Sequence, residues 1–329
     1  MSVHPVIDRN LAMEAVRVTE AAALAASRWM GKGDEIAADR AAISDMHEAL
    51  GSLDIDGTVI LGEGVEGETD LLFVGESVGN GKGGKVEVAL CPLEGASMTA
   101  RGAHEALSVV AMAEEGGFLK VPALYMDKIA VGSHLPEGLI DLDAEPGANL
   151  AALAEAKGLA IADLVVCILD RPRHRDMISK IREAGARIQL IEGGDVSGAV
   201  ATCREESGVD IYMGIGGARE GVLAAAALGC VNGQMQGRLV FRNDDERRIA
   251  REFGIEDLNR KYDLLDMASG DVTFAATGVT DGSLLAGARF HSGGGYSHSL
   301  VMRSKTGTIR YIEAHHDFLI APLQPVAGE

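Results

Sequence analysis

The chain has 329 residues, 24% of them charged and 47% hydrophobic, a composition that is ordinary for a globular protein and argues against disorder. Acidic residues outnumber basic ones by 49 to 30, and the formal net charge of -19 disfavours nucleic acid as a partner, because such a surface repels polyanions. No apolar run reaches the roughly 20 residues of a membrane span, and residues 1–10 lack the apolar core of a secretory leader.

The cysteine spacing indicates the cellular compartment of the protein, and the chain length indicates the number of sub-domains. Four cysteines are widely spaced, with no Cys-x-x-Cys pair, which predicts reduced thiols in a soluble cytoplasmic protein. The length is sufficient for two sub-domains. A loop-like stretch between Pro136 and Pro146 predicts the boundary, giving sub-domains at residues 1–145 and 146–329, with the last strands returning to the first sub-domain.

The first predicted elements are two helices and a short strand that bring acidic residues. Leu11 to Met30 has the pattern of an amphipathic helix, and a second helix places Asp39 near its start, either as a metal ligand or as a solvated first-turn acid. Val59 to Leu61 predicts a strand followed by a glycine-punctuated acidic loop that begins at Gly62 and includes Glu63. Such a loop suits a hard cation, although a solvated acidic turn has the same composition.

The most informative stretch runs from Val86 to Gly102. Alternating apolar residues predict a half-buried strand that Pro92 stops, so that Cys91 is delivered to a turn. Glu94 follows, and Ser97 or Thr99 would cap a helix over the apolar run from Ala106 to Met112. A strand end, a carboxylate and free helix amides together predict a site that can bind both a metal ion and a phosphate. An ordinary strand, turn and helix corner with a buried cysteine is the alternative.

The remaining chain predicts strands and helices in alternation, with polar residues at the strand ends. A strand-like segment from Phe118 to Val131 brings Tyr125 and Lys128, which could contact a phosphate or lie at the edge of the core. Three later strands end in loops that share arginines, glycines and acids, namely Arg171, Arg173, Asp195, Gly217 and Glu220. Ligands bind beyond the carboxyl ends of parallel strands. Because these loops lie at the same edge of the predicted sheet, their arginines are predicted to bind an anion rather than to be solvated surface residues.

The last third of the sequence contains a strongly charged stretch followed by short apolar runs. Arg238 to Lys261 is strongly charged and predicts a helix that is either a solvated face or a subunit contact. Val272 to Thr280 and several shorter apolar runs after it predict strands, ending in a hairpin around Lys305 to Gly307.

Motifs in this order and spacing resemble the class II fructose-1,6-bisphosphatases, the bacterial type that includes dual fructose-1,6-/sedoheptulose-1,7-bisphosphatases. The motifs that carry the resemblance span nearly the whole chain and include Gly-Lys-Gly-Asp-Glu-Ile-Ala-Ala-Asp39, Ile-Leu-Gly-Glu63-Gly, Pro-Leu-Glu94-Gly, Arg-Pro-Arg173-His and Gly-Ile-Gly-Gly-Ala-Arg-Glu220-Gly. The resemblance implies a layered α/β lithium-sensitive sugar phosphatase fold with two sub-domains. It also implies a cytoplasmic homo-oligomer, a dimer or tetramer, that acts in gluconeogenesis and in some members the Calvin cycle.

The same resemblance implies a reaction and a set of site residues. Divalent metal, Mg²⁺ or Mn²⁺, supports hydrolysis of the 1-phosphate of a sugar bisphosphate. The positions that match the metal ligands are Asp39, Glu63, Cys91, Glu94 and Glu220. Those that match the catalytic groups are Glu63, Glu94 and, beside the family's hydroxyl position, Ser97. Those that match the substrate contacts are Glu94, Gly95, Ala96, Tyr125, Arg171, Arg173, Gly193, Gly194, Asp195 and Gly217.

The sequence departs from the family pattern at two of these positions. Cys91 stands where the family has a metal-binding aspartate, and Ala96 stands where it has a threonine that helps to activate the attacking water. A thiol is a soft ligand, and an alanine cannot orient water. Three hypotheses follow: an active bisphosphatase, a catalytically weakened homologue that keeps sugar-phosphate binding, and a site that is redox-sensitive or adapted to Zn²⁺.

Overall fold

The structure is a computed structural model that describes residues 11–320. The described residues divide into two compact units: the first holds residues 11–116 and 271–320, and the second, residues 117–270, is inserted between these two segments. The expectation that residues 1–10 hold no leader concerns residues outside this range. Within residues 11–320, every helix falls short of the length and apolarity that crossing a bilayer requires.

The first segment of the first unit contains the two predicted helices. Its elements, in chain order, are α1 (Leu11–Ser27), α2 (Glu35–Gly51), β1 (Ile55–Leu61), β2 (Ser77–Val78), β3 (Gly84–Glu94), α3 (Ala96–Arg101) and β4 (Leu107–Ala113). The alanine-rich α1 is buried along most of its length, because small side chains let a helix backbone lie close to a sheet. Asp39 lies in the second turn of α2, as predicted.

The second unit carries the alternating strands and helices that the later sequence predicts. Its elements are β5 (Tyr125–Val131), α4 (Pro146–Lys157), β6 (Val165–Leu169), α5 (Arg175–Ala184), β7 (Arg187–Ile191), α6 (Asp195–Ala201), β8 (Ile211–Gly217), α7 (Ala218–Gly229), β9 (Gln234–Val240), α8 (Asp244–Glu252), β10 (Tyr262–Asp263) and α9 (Leu264–Met267). The strand order is β10-β9-β5-β8-β6-β7. Strands β6, β7 and β8 are parallel, so their carboxyl ends meet at one edge of the sheet.

The chain returns to the first unit and completes its sheet. The returning elements are β11 (Thr273–Gly278), β12 (Arg289–His291), β13 (Gly294–Arg303) and β14 (Thr308–Asp317). The strand order is β12-β13-β11-β4-β3-β1-β2, and β14 pairs with β13 along its whole length. Helix α1 packs on β11 and β13, where the hydroxyl oxygens of Thr19 and Thr277 are 2.7 Å apart. The predicted layered α/β class is therefore confirmed.

The prediction that Pro92 stops the central strand is wrong. Strand β3 continues to Glu94, and its pairing with β4 shifts register between Cys91 and Glu94. Proline is tolerated at such an irregularity because the ladder there needs no amide donor. Most residues of β3 are buried on both faces of the strand, which is therefore not half-buried as predicted, and helices α1 and α2 both contact it.

The helix predicted over the apolar run from Ala106 to Met112 is also wrong. This run forms β4, which pairs with β3 on one side and β11 on the other, and every one of its residues is buried. A continuous apolar run of this length fits a central strand as well as a helix, and its two valines favour the strand. The helix that does follow Glu94 is the much shorter α3.

Two other boundaries differ from the sequence predictions. The charged stretch from Arg238 to Lys261 is not one helix, because its first residues complete β9 and only Asp244–Glu252 is helical. The predicted sub-domain boundary at 145/146 falls inside the second unit, just before α4. Strand β5 lies before that boundary but pairs with β8 and β9, which makes it part of the second sheet.

Candidate active site

The carboxyl ends of β1 and β3 bring two predicted site residues to the same edge of the first sheet. The two strands are parallel neighbours, with Val59 opposite Val88. Glu63 follows β1 by two residues, and Glu94 is the last residue of β3. Glu94 is only 6% exposed, whereas Glu63 is half-buried. Two of the predicted metal and catalytic residues therefore leave this sheet in the same direction.

Asp39 is tied to the same region through the segment that precedes α2. The amide of Gly33 donates to the carbonyl of Ala100 in α3 over 2.8 Å, which fixes the start of α2 to the helix that follows Glu94. Asp34 then caps α2 by accepting a hydrogen bond from the amide of Ala37 over 2.9 Å. These contacts set the position of the second turn of α2, where Asp39 is half-buried.

The turn between β3 and α3 depends on Gly95, which has φ 103°. A left-handed conformation of this kind is strained for any residue with a side chain. Thr99 donates to the carbonyl of Gly95 through both its amide (2.9 Å) and its hydroxyl (3.1 Å). The predicted cap by Ser97 or Thr99 is therefore wrong: no side chain caps α3, and Ala96 and Ser97 lie half-buried in its first turn.

The five residues assigned to metal binding are divided between the units, Glu220 in the second and the others in the first. Among residues 11–320, no three His, Cys, Asp or Glu side chains form a group that could hold a metal ion. The carboxylates have the donor chemistry that a hard divalent cation requires, because such ions take oxygen ligands. The half-buried thiol of Cys91 does not fit that donor set. The ligand set remains a prediction.

The second unit places both predicted arginines at the carboxyl end of β6. Arg171 follows the strand and donates to the carbonyls of Asp170 and Glu192, which connects the ends of β6 and β7. Arg173 donates from Nε (2.9 Å) and Nη2 (2.7 Å) to the carbonyl of Ile215 in β8. Both guanidinium groups are therefore held at the rim formed by the parallel strands, as predicted.

A histidine that the sequence analysis did not single out holds this rim together. His174 is 1% exposed; its Nδ1 lies 2.7 Å from the carbonyl of Leu169, and its Nε2 accepts a hydrogen bond from the amide of Ile215 over 2.8 Å. The carbonyl requires a proton on Nδ1, so the ring is a neutral tautomer. Burial lowers the pKa of His174 below its ordinary value of 6.5, since the charged imidazolium is poorly solvated there.

The lowered pKa of His174 predicts a loss of stability in acid. In the unfolded chain His174 takes up a proton near its ordinary pKa of 6.5, whereas in the folded chain the same imidazole is protonated only at lower pH. Neutral His174 therefore contributes its full stabilisation of the fold above about pH 6.5, and this stabilisation is lost as pH falls toward the lower pKa of the folded state. We expect His174→Gln to be less stable than the wild type at pH 7.5 by about 1–2 kcal/mol and to show a weaker dependence on pH. Urea unfolding of both proteins between about pH 5 and pH 8 measures this difference. Parallel pH profiles would contradict it.

Asp195 is the centre of a buried polar network at the start of α6. Its carboxylate accepts hydrogen bonds from Lys128 Nζ over 2.6 Å, from the amide of Gly217 over 2.9 Å and from the hydroxyl of Tyr212. Lys128 also donates to the carbonyl of Gly217 over 2.8 Å. Lys128 is thus a buried partner of Asp195, which differs from the phosphate contact that its residue type and position suggested. The network fixes Gly217, the last residue of β8, directly before α7 begins at Ala218.

Glycines at the end of β8 leave room for two carboxylates. A Cβ at Gly216 would lie 1.6 Å from Oδ2 of Asp195, and a Cβ at Gly217 would lie 1.7 Å from Oε2 of Glu220. Glu220 is in the first turn of α7, where the helix dipole favours a negative charge. Gly193 and Gly194 form the corresponding turn before α6, and Gly194 has φ 85°. Of the predicted glycines, Gly217 therefore occupies a position where a side chain would collide, and Gly194 one where a side chain would strain the backbone.

Tyr125 begins β5 beside the same rim, with Gly217 opposite it in β8. Two guanidinium groups lie over its ring: Arg173 Cζ is 5.0 Å and Arg242 Cζ is 5.1 Å from the ring centroid. Arg242 was missed because it belongs to the charged stretch that predicted a solvated helix. The signal that could have found it is its place between the end of β9 and the cap of α8, which is a strand-to-helix loop.

A layered α/β fold with arginines and glycine turns at the strand ends of one sheet and carboxylates at the strand ends of the other is typical of the phosphatase class. The family described as bacterial fructose-1,6-bisphosphatase, glpX-encoded, matches residues 9–316, and the chain belongs to this family of metal-dependent phosphatases. The resemblance that the motifs indicated is confirmed.

Relatives are similar over nearly their whole lengths. The chain is 38% identical to a D-fructose 1,6-bisphosphatase class 2/sedoheptulose 1,7-bisphosphatase of Synechococcus sp. (strain JA-2-3B'a(2-13)), over 94% of this chain and 96% of the relative. It is 41% identical to fructose-1,6-bisphosphatase 1 class 2 of Escherichia coli (strain K12), over 94% of this chain and 95% of the relative.

Proposed function

We propose that this protein hydrolyses the 1-phosphate of fructose 1,6-bisphosphate to give fructose 6-phosphate and inorganic phosphate. The observation that carries the proposal is the similarity, across 94% of the chain, to relatives named for this activity. The geometry agrees with it, since the second unit presents arginines and glycine amides suited to a phosphorylated sugar, and the first unit presents carboxylates suited to hydrolysis.

The proposed reaction is an in-line attack of water on the phosphorus of the 1-phosphate, which breaks the bond between phosphorus and the sugar oxygen. Glu94 and Glu63 orient the water and take its proton, and the departing sugar oxygen takes up a proton from solvent to become a hydroxyl. Ser97 donates a hydrogen bond near the two carboxylates in place of the hydroxyl that Ala96 lacks. Asp39, Glu63, Glu94 and Glu220 would hold Mg²⁺ or Mn²⁺. A bound divalent cation supplies positive charge that stabilises the phosphoryl group in the transition state.

The second unit supplies recognition in this proposal. Arg171, Arg173 and Tyr125 bind the sugar phosphate that is not hydrolysed, and the amides of Gly193 and Gly194 bind substrate oxygens. Gly217 contacts the substrate without its amide, which donates to Asp195. Gly95 and the backbone of Ala96 contact the reacting phosphate in the first unit. Asp195 acts by holding Gly217 in place, because both of its carboxylate oxygens already accept hydrogen bonds from the protein.

The test is phosphate release from fructose 1,6-bisphosphate by the purified chain under reducing conditions, with Mg²⁺, Mn²⁺ or Zn²⁺ supplied separately. We expect turnover with Mg²⁺ or Mn²⁺ in the wild type. The double variant Cys91→Asp, Ala96→Thr is the comparison, because it restores the family's oxygen ligand and hydroxyl. Activity in the double variant alone would identify the wild type as a weakened homologue, and inactivity of both forms with every metal would overturn the proposal.

We also propose a cellular setting for the reaction. The four cysteines Cys91, Cys167, Cys203 and Cys230, all within residues 11–320, form no disulfide bond, which supports a reducing compartment such as the cytoplasm. Hydrolysis of fructose 1,6-bisphosphate would place the protein in gluconeogenesis, with sedoheptulose 1,7-bisphosphate as the second substrate to assay. A homo-oligomer, a dimer or tetramer, is the expected assembly. Light scattering on the purified chain measures its mass, and a monomer would contradict this expectation.

A further inference from the structure

Tyr125, Arg173 and Arg242 form a cluster of hydrogen-bond donors at the rim of the second sheet, which we name the Tyr125 cluster. Both guanidinium carbons lie within 5.1 Å of the centroid of the Tyr125 ring. Arg173 comes from the end of β6 and Arg242 from the end of β9, so strands on either side of β5 and β8 contribute to the cluster. Contacts of this length between a guanidinium and an aromatic face are attractive and orient the cation.

Arg242 is anchored as firmly as Arg173. Its Nε donates to Oε1 of Glu246 over 2.6 Å, and its backbone amide donates to Oε2 of the same residue over 2.6 Å. Glu246 is itself buried, and its backbone amide donates to the side chain of Asn243, which caps α8. The side chain of Arg242 nevertheless remains 63% exposed. A fixed and exposed cation loses little conformational entropy when it binds an anion.

The remaining donors of the Tyr125 cluster make no hydrogen bond within residues 11–320. Nε and Nη2 of Arg173 donate to the carbonyl of Ile215, and Nε and Nη2 of Arg242 contact the carboxylate of Glu246. Within residues 11–320, the Nη1 groups of both arginines and the hydroxyl of Tyr125 take part in no hydrogen bond or ion pair. Three donors, two of them cationic, thus belong to residues in contact with one ring in a protein whose net charge is -19. Such donors have the chemistry that a phosphate binds.

We infer that Arg242 is a phosphate-binding residue that completes, with Arg173 and Tyr125, the site for the phosphate that the substrate retains. This inference rests on the proposed function for the identity of the substrate as a sugar bisphosphate. Arg242 thereby determines specificity: it selects sugars that carry a second phosphate over those that carry only the 1-phosphate. The alternative is a structural role, in which Arg242 only fastens the corner between β9 and α8 through Glu246.

The experiment compares Arg242→Gln with Arg248→Gln. Arg248 is a matched control because it lies on α8, is 61% exposed and is paired with Asp245 and Glu252. The first readout is the Kd of fructose 6-phosphate measured by titration calorimetry, which requires no turnover. The second is KM and kcat for fructose 1,6-bisphosphate and for fructose 1-phosphate, which lacks the retained phosphate.

We expect Arg242→Gln to raise the Kd of fructose 6-phosphate and the KM of fructose 1,6-bisphosphate about tenfold or more, with kcat changed less than threefold. The kinetic constants for fructose 1-phosphate should not change, and Arg248→Gln should behave as the wild type. Arg242→Lys should recover part of the affinity, because it keeps the charge but not the planar fork. Circular dichroism melting of each variant separates loss of binding from loss of folding.

Three results would overturn the inference: an unchanged Kd in Arg242→Gln, an equal loss in Arg248→Gln, or an equal loss of activity toward fructose 1-phosphate. Failure of the proposed function looks different. In that case the wild type releases no phosphate with any metal, yet the calorimetric comparison still measures whether Arg242 binds the phosphate of fructose 6-phosphate. Binding that depends on Arg242 in an inactive protein would support the inference without the reaction.

Discussion

Replacing Glu94 with glutamine is expected to lower phosphate release from fructose 1,6-bisphosphate by about a hundredfold or more. Glu94 is 6% exposed at the end of β3, directly before the turn that begins α3. Glutamine has nearly the same volume, so packing is preserved while the negative charge and one strong acceptor are removed. The measurement is kcat with saturating Mg²⁺ or Mn²⁺ under reducing conditions.

The control for this substitution is Glu87→Gln on the same strand. Glu87 is equally buried, at 6% exposure, but it lies near the opposite end of β3, opposite Ala113. If burial of a carboxylate in this strand were the only property that mattered, the two variants would lose activity together. We expect Glu87→Gln to keep most of the wild-type rate, and retention of more than half the rate by Glu94→Gln would remove Glu94 from the catalytic machinery.

Replacing Lys128 with methionine is expected to destabilise the protein by about 3–5 kcal/mol. The side chains of Lys128 and Asp195 are 2% and 7% exposed, and their charged atoms are 2.6 Å apart. Methionine fills most of the space that lysine occupies but leaves the carboxylate of Asp195 buried without its cation. The free energy of unfolding, from urea titration followed by circular dichroism, measures the loss.

A surface ion pair in the same unit provides the comparison. Lys180 pairs with Glu145 over 3.0 Å, and the two side chains are 41% and 74% exposed. Lys180→Met should cost far less stability than Lys128→Met, because water can solvate the carboxylate that remains. The double variant Lys128→Met, Asp195→Leu should recover part of the loss, since it removes the unpaired charge. A change below 1 kcal/mol in Lys128→Met would show that the buried pair is not a main support of the end of β8.

The sequence predicts the second unit better than the first for a physical reason. Buried parallel strands are short continuous apolar runs, and each is followed here by glycines, arginines or acids and then by a helix. That local pattern places Arg171, Asp195 and Gly217 at one sheet edge without any knowledge of distant contacts. In the first unit, by contrast, β4 is a strand because β3 and β11 flank it, and β11 comes from more than a hundred residues later in the chain.

In the candidate site, too, contacts between residues distant in the chain could not be predicted from the sequence. Motifs identify Arg173 and Tyr125 because both belong to recognisable segments, but Arg242 joins them only through the pairing of β5 with β9. Lys128 has the same residue type as a phosphate ligand, and only its burial beside Asp195 shows that it supports the end of β8 instead. Residue type and spacing therefore identify candidates, whereas burial and pairing decide what each of them contacts.

The insertion of residues 117–270 between the two segments of the first unit sets an order for completing the protein during synthesis. Every strand of the second sheet is made before residue 271, so that sheet can close while the ribosome is still translating. Strand β4 must wait for β11, and β11 in turn for β13. A nascent chain that stops after residue 270 would therefore combine a finished inserted unit with an open, apolar strand edge along β4, which is the kind of surface that chaperones bind and aggregates grow from.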